Sequence, residues 1–167
     1  MSDDQTKQKL FDETEKELKK RGFTIVDQDR KRPWGGFFVI NEDQAKKFSD
    51  TYFDSIPLDQ LKISGKLSPK ILIVQPEQRL SWQYHHRRAE IWRVVDGPVG
   101  IITSETNDQG PLKKYESGDQ ITLHQGERHR LVGLDNWGRV AEIWQHTDPD
   151  NPSDEDDIVR VQDDFGR

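Results

Sequence analysis

Residues 80–97 read Leu80-Ser81-Trp82-Gln83-Tyr84-His85-His86-Arg87-Arg88-Ala89-Glu90-Ile91-Trp92-Arg93-Val94-Val95-Asp96-Gly97. A second stretch runs from Gly118 to Gly133 and carries His124, Gly126 and His129. Gln83 and His85 are two apart, and residues two apart on a strand point to one face. Glu90 follows after a turn at the start of the next strand, and His129 arrives from a later one. A barrel can bring such residues together, with Gly97, Gly118 and Gly126 supplying the turns that return the chain. Two imidazoles, one carboxylate and one side-chain amide can surround a divalent cation and leave positions open for a substrate. All five histidines (85, 86, 124, 129, 146) fall between residues 85 and 146, as a site requires and a scattered surface does not.

Outward from these stretches the grammar stays that of short strands. Residues 23–26, 37–40, 71–75, 91–95, 99–103, 120–123, 129–132, 140–144 and 158–161 are strand-like. They are bounded by Pro33, Pro76, Gly97-Pro98, Gly110-Pro111, Gly118-Asp119 and Gly138. Many short strands without intervening amphipathic helices indicate an all-β sandwich or barrel. Residues 5–21 instead favour helix, with Asp3 or Asp4 as N-cap and Gly22 as C-cap. Leu10, Phe11, Thr14 and Leu18 form a narrow stripe on that helix, suited to its own barrel or to a second subunit. A short helix fits within residues 41–60. The expected division is a helix over 1–22, a barrel over 23–146 and an acidic segment over 147–167 packed on the barrel.

The chain has 167 residues, enough for one sizeable core, and is 31% hydrophobic against 34% charged. Its net charge of −6 is unevenly placed. Residues 147–167 hold eight acids and two bases, so the rest of the chain sums to about zero. Neither part is basic enough to suggest nucleic acid. With no cysteine, disulfides and thiolate metal sites are excluded. The start, Met1-Ser2-Asp3-Asp4, does not read as a signal peptide, and no apolar run reaches membrane-spanning length. A soluble, cytoplasmic protein is the expectation.

The two ligand-bearing stretches resemble the paired motifs of the cupins, with Gln83 in place of the usual first histidine, His124 in place of a proline and Gly133 in place of the final asparagine. That resemblance implies a double-stranded β-helix (jelly-roll) barrel. A narrower one comes from the surrounding words. Arg32-Pro33-Trp34-Gly35, Leu80-Ser81-Trp82-Gln83-Tyr84-His85, Arg88-Ala89-Glu90-Ile91-Trp92 and His129-Arg130-Leu131 resemble blocks of the type II mannose-6-phosphate isomerases. So does the ending, Glu155-Asp156-Asp157-Ile158-Val159-Arg160 with Asp163-Asp164-Phe165-Gly166-Arg167. These blocks run in the family's order from about residue 31 to the end, and glutamine in the first ligand position is that family's norm. Residues 41–66 are longer than the usual connection, and residues 147–154 replace a short link. Glu142-Ile143-Trp144-Gln145 stands one residue out of register with a Glu-Val-Gln word.

The resemblance implies one divalent metal, zinc in that family, on Gln83, His85, Glu90 and His129. Nitrogen and oxygen ligation by itself also admits manganese, iron, nickel or cobalt. It implies aldose–ketose isomerisation between mannose 6-phosphate and fructose 6-phosphate, or of a related sugar. Lys70, Arg88 and Arg130 match basic positions of the family. For the proton transfer, Lys70, His124 and Glu142 are candidates, with a water on the cation as a further one. Arg88 and Arg130, close in sequence to Glu90 and His129, are the candidates for holding a phosphate. An isomerase or epimerase of free sugars, and a sugar-binding cupin without catalysis, remain as alternatives. Cupins commonly pair through barrel edges, so a homodimer is compatible with the pattern.

Overall fold

The computed structural model describes residues 3–57 and 66–164. Helix α1 spans Asp3–Lys20 and ends where Gly22 adopts a left-handed φ of 89°. There Gly22 N–H donates to Lys19 O and Phe23 N–H to Leu18 O, closing the helix in a Schellman turn. That turn occupies Phe23, so the first strand begins at residue 25. The side chains of Asp3 and Asp4, the expected N-caps, lie outside the described residues.

Strands β1 (Ile25–Arg32) and β2 (Gly35–Ile40) are followed by a 3₁₀ turn and helix α2 (Ala45–Tyr52). Then come β3 (Lys70–Val74), β4 (Trp82–Tyr84), β5 (Arg88–Asp96), β6 (Val99–Ser104) and β7 (Lys113–Tyr115). The last four are β8 (Gln120–Leu123), β9 (Arg128–Val132), β10 (Gly138–His146) and β11 (Val159–Gln162). All pair antiparallel, in one sheet ordered β1-β2-β3-β10-β5-β8 and a second ordered β11-β4-β9-β6-β7. This is the all-β, double-stranded β-helix architecture with an N-terminal helix that the sequence pattern implies. The expected strands recur, most with ends within two residues of those expected, while the first runs from residue 25 to 32 and the fourth begins at residue 88. Strand β7, three residues long, is too short for an alternation to register, and the strand expected to carry Gln83 and His85 is β4, which ends at Tyr84, one residue before His85. Strand β11 lies in the acidic segment expected to pack on the barrel, yet pairs with β4 as an edge of the second sheet.

Alternation in the first sheet explains how a chain poor in apolar residues fills two cores. Ile71 and Ile73 of β3, Ile91 of β5, and Ala141 and Ile143 of β10 join a cluster with Phe11 and Leu18 of α1 and Phe48 of α2. The intervening Leu72, Val74, Trp92, Val94 and Val140 point the other way, into the barrel, against Leu131 and Ile101 of the second sheet. Helix α1 therefore packs on its own barrel, with Phe11, Thr14 and Leu18 buried and Leu10 partly so. Lys70, Glu90 and Glu142 share the inward parity and make the polar end of the interior.

Between β1 and β2 the chain turns at Pro33-Trp34 into Gly35, with φ 143°. A Cβ there would stand 2.0 Å from Ile73 O, so this close approach admits only glycine. The turn brings Arg32 and Trp34 to the rim of the polar end. Among the described residues no helix is long and apolar enough to cross a membrane.

Candidate active site

Glu90 enters the interior from the start of β5, and Oε2 lies 3.3 Å from His85 Nε2 while Oε1 lies 3.5 Å from His129 Nε2. The ligand atoms of these three buried residues all fall within 4.8 Å of one another. His85 sits one residue beyond β4, and His129 is on β9 opposite Gln83 of β4. Each ring is held from behind. His85 Nδ1 is 2.7 Å from Asp157 O, and His129 Nδ1 is 3.2 Å from Glu127 O. A carbonyl oxygen can only accept, so both Nδ1 atoms carry the proton and both Nε2 lone pairs face Glu90. His129 Nε2 has no hydrogen-bond partner among the described residues. Two imine nitrogens aimed at a carboxylate repel it unless a cation stands between them.

The electrostatics agree. Burial pushes His85 down to about 3, against the pull of Glu90, and burial likewise lowers His129. For Glu90 burial works to raise the pKa, but the Arg88 guanidinium, the largest of the opposing influences, holds it well below the carboxylate range. The neutral, neutral, anionic set is the protonation state that metal ligation requires. These residues therefore fit a divalent metal. Gln83 lines the same cavity as Glu90, and its amide makes no side-chain hydrogen bond among the described residues.

The cavity, about 90 Å³, is bounded by Trp34, Lys70, Gln83, Arg88, Glu90 and Glu142 among others. Glu142 on β10 faces Glu90 of β5 across Trp92, whose Nε1–H lies 3.2 Å from Glu90 Oε1 and 3.1 Å from Glu142 Oε2. Trp144 Nε1–H donates to Glu142 Oε1 at 2.5 Å. Burial, reinforced by the nearby Glu90 charge, pushes Glu142 up to about 7. Lys70 Nζ contacts Glu155 and lies 4.4 Å from the centre of the Trp144 ring.

Arg88 is in the cavity wall but fully engaged. Its Nε donates to Glu90 Oε2 at 2.8 Å, and Nη1 donates to Ser153 Oγ and Asp154 O, each at 3.0 Å. Nη2 lies 3.3 Å from His85 Nε2, and the guanidinium stacks 3.5 Å above Trp144. The structure does not bring Arg130 to the site. As the residue after His129 on β9 it faces the other side of the sheet, where Nε donates to Leu80 O at 2.7 Å. His124 is exposed in the turn after β8 and does not line the cavity.

Two positions that support the site, Asp157 and Trp92, stand in the family-like blocks but not among the site residues expected from the sequence. Asp157 accepts from His86 N–H and Arg87 N–H, both at 2.9 Å, and from Ser153 Oγ at 2.6 Å. Burial opposes its ionisation, but these donors hold the carboxyl at about 2. Residues 153–157 are thus a strap across the site, though their composition reads only as bulk charge. Trp92 could have been found from parity, two residues after Glu90.

Residues 49–163 match the family model described as mannose-6-phosphate isomerase C-terminal. The chain belongs to this family. Members of similar sequence include a mannose-1-phosphate guanylyltransferase of Escherichia coli K12, 30% identical over 65% of this chain and 21% of that protein. The xanthan biosynthesis protein XanB of Xanthomonas campestris is 31% identical over 81% of this chain and 23% of that protein. The chain thus spans under a quarter of the length of these relatives. Among solved structures, CapF is similar over 84% of this chain and 34% of that one, at 19% identity and a TM-score of 0.51. A cupin 2 conserved barrel domain protein of Salinispora arenicola is similar over 54% of this chain and 70% of that one, at 21% identity and a TM-score of 0.42.

Proposed function

We infer that the domain is a metal-dependent sugar-phosphate isomerase that interconverts mannose 6-phosphate and fructose 6-phosphate. The observation that carries this reading is a buried carboxyl with a pKa near 7, Glu142, sharing one cavity with the His85–Glu90–His129 triad. Aldose–ketose conversion moves a proton between C1 and C2, and a base poised near neutral pH both takes and returns it. Glu142 is placed for that task, with Trp92 and Trp144 fixing the two carboxyl oxygens. When bound, a divalent cation on His85, Glu90, His129 and Gln83, zinc by the family resemblance, would supply Lewis-acid stabilisation of charge developing on the substrate oxygens. Arg88 compensates the Glu90 charge and anchors the strap through Ser153 and Asp154.

The test is turnover of mannose 6-phosphate and fructose 6-phosphate by the metal-loaded protein, with free mannose and fructose in parallel. Glu142→Gln should lower kcat by about 10²–10⁴ without loss of metal. Equal turnover of free and phosphorylated sugars would move the reading to a free-sugar isomerase. No turnover of either, with metal bound, would leave a binding domain.

A further inference from the structure

Four basic side chains line the cavity: Arg32, Lys70, Arg88 and Arg160. Arg88 is committed through four of its five N–H groups to Glu90, Ser153, Asp154 and His85. The other three come from three elements around the mouth: the β1–β2 turn, the start of β3 and the edge strand β11. We propose that Arg32, Lys70 and Arg160 form the seat for the substrate's phosphate, and that the Glu155 carboxylate occupies this seat when phosphate is absent. The proposal rests on the sugar-phosphate reading above and names its recognition site.

Three observations support it. Arg160 is exposed and has no hydrogen-bond or ion-pair partner among the described residues. Arg32 Nε is buried without a hydrogen bond; Asp29 Oδ2 is 3.0 Å away but off the N–H direction, so a donor remains to be satisfied. Lys70 is 8% exposed by its side chain, yet its partner Glu155 is 71% exposed, a surface carboxylate reaching in from the strap. An anion that arrives on a solvated side chain can swing back into water, so another anion can take its place on Lys70.

In this mode C1 and C2 of a hexose 6-phosphate lie beside Glu142 and Glu90 and its phosphate faces the mouth, with Lys70, opposite Glu142 across β3 and β10, the most buried of the three bases. Arg32, Glu155 and Arg160 also line the groove that continues outward, together with Asp27, Asp29 and Asp156. Those acids repel a phosphate from the outer groove and leave the inner rim as the place for it. The inner cavity of about 90 Å³ is under the roughly 300 Å³ at which small-molecule sites begin, and Glu155 lines both it and the outer groove, so withdrawal of that side chain widens the entrance.

The experiment is calorimetric titration of the full chain with inorganic phosphate, alongside KM for mannose 6-phosphate, in the wild type, Arg32→Ala, Arg160→Ala and Glu155→Gln. Arg32→Ala and Arg160→Ala should each weaken phosphate binding about tenfold or more, and raise KM in proportion. Glu155→Gln, which removes the competing charge, should tighten binding several-fold. Circular dichroism and melting of each variant verify folding, and Arg160→Lys should recover part of the loss. Unchanged phosphate affinity in both arginine variants, no phosphate binding by the wild type, or no gain in Glu155→Gln would each overturn the seat. Phosphate binding with these changes but no isomerisation would keep the seat and overturn the isomerase reading. Isomerisation with KM unmoved in both arginine variants would do the reverse.

Discussion

Arg88 and Glu90 are buried within 2.8 Å of each other, and Glu90 has no other full charge as close. Arg88→Ala should cost the metal-free protein about 3–5 kcal/mol, because it leaves an uncompensated carboxylate inside. Bound metal supplies the missing positive charge, so urea unfolding in saturating zinc should show a much smaller loss. Equal losses with and without metal would place the cation elsewhere. Glu142 offers a second test. Its folded pKa, raised to about 7, favours the protonated fold, so the stability it contributes is complete below 4.5 and lost as pH rises through 7. Metal-free Glu142→Gln should therefore gain on the wild type in urea midpoint between pH 4.5 and 8, and a flat difference would contradict the shift. At this scale the spacing anticipated the convergence of His85, Glu90 and His129, because each lies at a strand end, His85 just beyond β4 and the others near the starts of β5 and β9. It misplaced Arg130, because nearness in sequence to His129 is not nearness in space: alternation along β9 sends adjacent residues to opposite faces. It could not weigh Asp157, whose role depends on a strap folding back 72 residues to His85.

Among the elements, the strap and β11 matter most to the site. Asp157 holds the strap by capping His86 N–H and Arg87 N–H, and its carbonyl fixes the tautomer of His85. Asp157→Ala removes no cavity side chain, yet it should weaken metal affinity by about 10–100-fold, the usual effect of losing the support behind a ligand. Competition with a metal-sensitive dye measures this, and an affinity equal to wild type would show that the strap does not tune the site. Strand content was readable from short apolar runs, and the parity of β3, β5 and β10 follows from them. The edges were readable only in part. Residues 158–161 are strand-like, but that β11 forms an edge of the second sheet against β4 was not legible, and β1 runs on through Asp27-Gln28-Asp29-Arg30, where polar residues mask a strand.

For the molecule as a whole, the buried neutral histidines make the metal-free state acid-sensitive. With folded pKa values depressed, His85 and His129 contribute stability that is present above 6.5 and lost as pH falls below it, for His85 as pH approaches about 3. Glu90 and Asp157, also depressed, add to the loss below the ordinary carboxylate range. Glu142 acts in the opposite sense between 4.5 and 7, so the fall in melting temperature from pH 7 to 5 should be steeper in Glu142→Gln. Saturating metal should raise the melting temperature at pH 7, by the equivalent of about 2.7 kcal/mol at a hundredfold excess over Kd. The measurement that bears most directly on the site is anomalous diffraction at the metal edge from crystals of the zinc-loaded protein. It should place one ion within bonding distance of His85 Nε2, His129 Nε2, a Glu90 oxygen and Gln83 Oε1. An ion bound away from this triad, or no ion in a well-ordered cavity, would contradict the assignment of the cavity as a metal-dependent sugar-phosphate site.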